Sequence, residues 1–153
     1  LKRLIAPAVL LGAFAVACGY PAPDIHRKIE YWAYRFGLDP LLLAAVVWIE
    51  SRYCVNAVSY AGAVGLGQVK PGTGKEMGVP PQYLYHPDYN LYASARYLRQ
   101  MFLRFNRWDL ALAAYNEGPN RVARHGVSAA GYSYARKVLQ TYWYWKNAQR
   151  RSR

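Results

Sequence analysis

Acidic residues are scarce in this chain. Asp and Glu number 8 against 20 Lys and Arg, a formal charge of +12 over 153 residues. So basic a chain favours anionic partners: nucleic acid, an anionic membrane surface, or an acidic polymer such as bacterial cell wall. The scarcity also means that any acid chemistry rests on a few carboxyls that can be inspected one by one. Cysteine and histidine are rarer still. Two Cys and three scattered His (His26, His86, His125) offer no metal-ligand spacing, so no zinc and no other cofactor is expected. No internal repeat is present. The apolar fraction of 54% excludes a disordered chain, and the length allows one domain with a sizeable core.

A long apolar run occurs at the N-terminus. Lys2 and Arg3 precede Leu4 to Ala17, which closes on the small-residue triplet Ala15, Val16, Ala17. This is the layout of an export signal over residues 1–17, too short to span a bilayer comfortably. An exported protein meets no chromosome, which removes nucleic acid from the expected partners. Cys18 follows at once and resembles the lipobox cysteine of bacterial lipoproteins, although Ala15 stands where that pattern usually has Leu. The resemblance implies a lipid on Cys18, a membrane anchor and a free Cys54. The other reading is ordinary cleavage, with Cys18 paired to Cys54 in an oxidising compartment. Either way the expected location is the periplasm or cell envelope.

A Pro-rich linker (18–23) leads into a domain over residues 24–146 that reads as helices separated by loops. Asp24 is placed to cap a first helix with Ile25, Ile29, Trp32 and Phe36 on its apolar face, closed by Gly37. Asp39 and Pro40 open a second, apolar almost all round from Leu41 to Ile49 and therefore central. Residues 52–74 carry five glycines and read as irregular loop, with a small hairpin at most. Helices follow at Asn90–Phe105, Asp109–Asn116 and Tyr134–Lys146, and residues 147–153 form a basic tail. The fold class is mainly α, a single domain with a glycine-rich loop beside the second helix.

That helix runs its apolar residues straight into Glu50. A carboxyl so placed is ordinarily structural, and Arg52 is a ready partner. Three features elsewhere favour chemistry. The loop "AGAVGLGQ" brings backbone close to a ligand and ends in Gln68, whose amide both donates and accepts. The stretch "AAYNEGP" sets Tyr115 and Asn116 at the end of another buried run, and 15 Tyr with 5 Trp supply faces for stacking on sugars.

Together these stretches resemble the catalytic domain of soluble lytic transglycosylases, relatives of goose-type lysozyme. "DPLLLAAVVWIES" resembles the helix with the family's Glu-Ser, "NAVSYAGAVGLGQVKP" its Gly-Leu-Met-Gln loop, and "LALAAYNEGPNRVARHG" its Ala-Tyr-Asn-Ala-Gly-Pro signature. "NLYASARYLRQMF" and "YARKVL" are similar to later helices. The resemblance implies a lysozyme-like fold and peptidoglycan glycan strands as partner, cut between N-acetylmuramic acid and N-acetylglucosamine. It implies Glu50 as the single acid and base, Ser51 and Gln68 in contact with substrate, Tyr115 hydrogen-bonded to Glu50, and Asn116 in support. It leaves protein partners unnamed. Gly67 departs from the usual Met, which implies a missing apolar wall, and Glu117 departs from Ala. Glu117 is also the one candidate for a second carboxyl near the site, as a hydrolytic glycosidase would generally need. A hydrolytic muramidase and a wall-binding module without turnover are the competing functions.

Overall fold

Five of the seven α-helices among the described residues begin on a proline, whose fixed φ suits the first turn and whose missing N–H is not needed there. The computed structural model describes residue 18 and residues 22–152. The export segment read over residues 1–17 lies outside the described residues. The helices are α1 (Pro23–Arg35), α2 (Pro40–Ser51), α3 (Pro71–Glu76), α4 (Pro87–Phe105), α5 (Trp108–Glu117), α6 (Pro119–His125) and α7 (Ala129–Arg151). A 3₁₀ turn at Pro81–Tyr85 precedes α4. Two isolated antiparallel bridges, Val58 to Val64 and Val64 to Val69, are the small hairpin of the glycine-rich loop.

The core forms where α5 lies between α4 and α7 and α2 packs on α7. Leu43, Ala45, Val46 and Val47 of α2 and Ala111 to Ala114 of α5 are fully enclosed, so both helices are apolar on nearly every face. Asp39 caps α2 as expected, accepting from Leu41 N–H at 2.9 Å. Its other carboxylate oxygen accepts from Tyr142 Oη at 3.0 Å and from Lys146 Nζ, which fastens α7 to the start of α2. Asp88 likewise joins α4 to α1 through Lys28 and Trp32.

Several expected boundaries move. Asp24 does not cap α1; the helix starts one residue earlier, on Pro23 after Ala22, and Asp24 lies in its first turn. α3 begins inside the 52–74 stretch expected to be irregular loop, and α6 is a helix beyond those expected. Ser128 caps α7 by accepting from Gly131 N–H at 3.1 Å, and the helix runs on through most of the expected tail to Arg151. The lipid reading of Cys18 also needs correction. Cys18 is joined to Cys54 by a disulfide, with a Cα–Cα distance of 5.0 Å. A lipid thioether needs the same sulfur, so the two readings are alternatives, and the structure holds the disulfide. Among the described residues, no helix is long and apolar enough to cross a membrane.

Candidate active site

Glu50 occupies the last turn of α2. The helix stops because Arg52 and Tyr53 take left-handed backbone at φ 53° and 63°, with Arg52 N–H donating to Trp48 O at 3.1 Å. This turn aims Arg52 away from Glu50. Its guanidinium stacks 4.2 Å over the Trp48 ring, and no cation pairs with Glu50 among the described residues. The structural pairing that would make this carboxyl bland is therefore not made. Burial pushes its pKa from 4.5 up to about 7, against a smaller opposing pull from the Tyr134 hydroxyl.

Tyr134 was not foreseen as a site residue. It lies on the buried face of α7, and its hydroxyl is the one buried side-chain polar atom among the described residues without a well-formed hydrogen bond. It sits beside the Glu50 carboxyl and favours its ionised form. The signal in the sequence was slight: a tyrosine spaced four residues before Val138 on an inward face, with a hydroxyl in need of a partner.

Tyr115 is buried at the end of α5, but its hydroxyl donates to Gly67 O at 2.7 Å rather than to Glu50. The expected Tyr115–Glu50 hydrogen bond is replaced by a tether on the glycine-rich loop. Burial raises the Tyr115 phenol well above its usual range, and the neighbouring Glu50 charge adds to this. Ser51 is similarly inward. Its hydroxyl lies 2.8 Å from Leu66 O and 3.2 Å from Val47 O, so it joins helix to loop. A third tether, also missed, is buried Asn90. Its amide donates to Val64 O and Leu84 O, both at 2.8 Å, and accepts from Gly67 N–H at 2.8 Å.

Gly67 is demanded by this packing. A Cβ there would come within 1.9 Å of Ser94 Oγ and 2.9 Å of Tyr115 Oη. The space that a Cβ on Gly67 would enter is occupied by Ser94 and Tyr115.

The cleft has a volume of about 360 Å³ and is lined by Glu50, Gln68, Lys70, Tyr97, Tyr115 and Asn116, among others. Gln68 Nε2 donates to Ala57 O at 3.1 Å and Gly65 O at 3.0 Å, while its carbonyl oxygen accepts from no protein group among the described residues. Exposed Asn116 also lines the cleft, and its amide makes no hydrogen bond to protein among the described residues. Glu117 also borders the cleft, yet it is committed elsewhere. It accepts from Ser128 Oγ, from Ser128 N–H at 3.2 Å and from Arg121 Nη1 at 3.0 Å. Burial alone would raise its pKa; those hydrogen bonds and the Arg121 charge outweigh burial and lower it. The cleft thus joins one protonatable carboxyl to one locked carboxylate. Among the described residues, no cluster of three or more His, Cys, Asp or Glu could hold a metal ion.

The model of the Transglycosylase SLT domain family matches residues 27–137. The chain belongs to this family. A transglycosylase of Enterobacteria phage PRD1 is 38% identical over 106 residues, 69% of this chain and 38% of the phage protein. The X polypeptide of Escherichia coli is 32% identical over 125 residues, covering 74% and 71% of the two chains. The lytic transglycosylase Slt of Pseudomonas aeruginosa, known from the X-ray structure of an inactive mutant, superposes with a TM-score of 0.70 at 32% identity. That match covers 78% of this chain and 24% of the other. This SLT domain therefore spans well under half the length of the phage and Pseudomonas proteins. Its matched span holds Glu50, Ser51, Gln68, Tyr115, Asn116 and Tyr134, and leaves Cys18 outside.

Proposed function

We propose that this SLT domain cleaves peptidoglycan glycan strands between N-acetylmuramic acid and N-acetylglucosamine without water, leaving 1,6-anhydromuramic ends. The observation that carries the reading is the pair of unlike carboxyls. Glu50 has no cation partner among the described residues and a pKa of about 7, so near neutral pH a large share of molecules hold a proton to donate. Glu117 holds its charge in three hydrogen bonds and is poorly placed to activate water. That favours a one-carboxyl route over the hydrolytic muramidase, which generally needs two.

In this route Glu50 gives its proton to the glycosidic oxygen as the bond from the muramic C1 breaks. The N-acetyl oxygen of the same sugar stabilises the developing cation. Glu50, now a carboxylate, takes the proton of the sugar's C6 hydroxyl as that oxygen bonds to C1, so the enzyme regains its starting form. An attacking group already on the substrate avoids the entropy cost of positioning water. Tyr134 steadies the carboxylate between the two transfers, and the tethers from Ser51, Asn90 and Tyr115 hold the loop that carries Gln68. Gln68 and Asn116 bind the sugar's amide and hydroxyl groups, and the Tyr97 and Tyr115 rings back them.

We also propose that the chain works outside the cytoplasm, after loss of residues 1–17. The Cys18–Cys54 disulfide supports this, because such bonds persist in oxidising compartments. The test of turnover is release of soluble muropeptides from purified peptidoglycan. Wild type should release them and Glu50→Gln should not, at unchanged fold, since a general acid is generally worth about 10²–10⁴ in rate. Equal release by both would remove Glu50 from the chemistry, and none by either would leave a wall-binding module.

A further inference from the structure

We infer that the outward face of α7 docks on an anionic lipid bilayer. The chain's positive charge is unevenly spread: residues 118–153 hold eight Lys and Arg and no Asp or Glu. The helix is about 34 Å long at the standard rise and supplies a surface of bilayer-contact size. Its exposed arc carries rings as well as cations. Tyr132 is 52% exposed, Trp143 50% and Tyr144 68%. At helical spacing Tyr132, Arg136, Leu139, Trp143 and Arg150 fall within about 60° of one another.

Two shallow grooves of about 450 and 510 Å³ flank this stripe and share Asp109, Leu139 and Trp143. Leu42 and Trp108 line the second, so apolar surface continues beyond the helix itself. Two carboxylates border the face, and both are neutralised, Asp109 by Arg107 and Asp39 by Lys146. Arg136, Lys137, Arg150 and Arg151 make no ion pair among the described residues. Trp and Tyr settle at the headgroup level of a membrane, and unpaired cations beside them are drawn to anionic headgroups. Along the stripe Trp143 has Leu139, Arg136 and Arg150 as neighbours, with Gln140 in the groove beside it.

Co-sedimentation with vesicles tests this independently of any glycan cleavage. The protein should bind phosphatidylglycerol–phosphatidylethanolamine vesicles, bind pure phosphatidylcholine weakly, and lose binding as salt rises. Each free cation near the surface contributes about fivefold, so Arg136→Glu with Arg150→Glu should weaken binding by ~25-fold or more. Trp143→Ala with Tyr144→Ala should release the protein at lower salt than wild type. Because any chain this basic is attracted to anionic vesicles, Lys75→Glu with Arg104→Glu removes the same charge from α3 and α4 and should keep most of the binding. Circular dichroism melts of each variant check that the fold is kept. Equal loss in the α7 and control variants overturns the proposal, as does binding to insoluble glycan strands through this face without binding to vesicles.

Discussion

Replacing Glu50 with Gln should stabilise the protein, and do so only where the carboxyl would be ionised. In the unfolded chain this group titrates near 4.5, and in the fold near 7, because burial disfavours its charge. Below pH 4.5 it is protonated in both states and the substitution is nearly neutral. Between 4.5 and 7 the folded state holds a proton that the unfolded state has released, so wild-type stability falls as pH rises. Above 7 the loss is complete. The gap corresponds to about 3 kcal/mol, an upper figure because Glu50 keeps some contact with water. Gln has nearly the same shape and no charge to desolvate, so it escapes this cost. Urea unfolding of both proteins from pH 4 to 8 measures it. The difference in unfolding free energy should grow from near zero to about 2–3 kcal/mol in favour of Glu50→Gln. A difference that is flat with pH, or a wild type that gains on the variant at alkaline pH, would refute the claim that Glu50 is buried without a cation.

Other perturbations separate tethers from chemistry. Tyr115→Phe leaves Gly67 O without its donor in a buried setting, so it should cost about 1–3 kcal/mol in unfolding free energy; an unchanged melt would return Tyr115 to a plain aromatic role. Gly67→Ala should destabilise through its collision with Ser94, and pairing it with Ser94→Gly should recover part of the loss, as read by melting temperature. Glu117→Gln should keep glycan cleavage within a few-fold and lower stability by weakening the α5–α7 junction; abolished turnover with an intact fold would make Glu117 part of the reaction. The rate on soluble glycan should fall as pH rises through about 7, where Glu50 loses its proton, and Tyr134→Phe should move that fall to higher pH.

Features set by neighbours in sequence were readable in advance. Asp39 and Pro40 mark the start of α2, the unbroken apolar run marks it as central, and a carboxyl at its end draws attention to Glu50. The stretches holding Gln68 and Asn116 were readable for the same reason. Short helices were not, because six or seven residues such as "PGTGKE" show no apolar period and glycine hides the helical pattern. Partners across the fold were not readable either. Whether Tyr115 reaches Glu50 or Gly67 depends on how α5 seats against the loop, and the hydroxyl of Ser51 is turned inward by the same contact. Glu117 looks free in sequence and is locked by Ser128, 11 residues away. Tyr134 becomes part of the site only because α7 packs on α2. The two cysteines left lipid and disulfide open until their backbone separation was known.

The central claim, cleavage without water by a single carboxyl, is tested most directly by the mass of the products. Purified peptidoglycan digested with the wild-type protein should yield muropeptides with 1,6-anhydromuramic ends, one water lighter than hydrolysis products and resistant to borohydride reduction. Products that are mainly reducible, at the full hydrolytic mass, would contradict the single-carboxyl route and make the protein a muramidase.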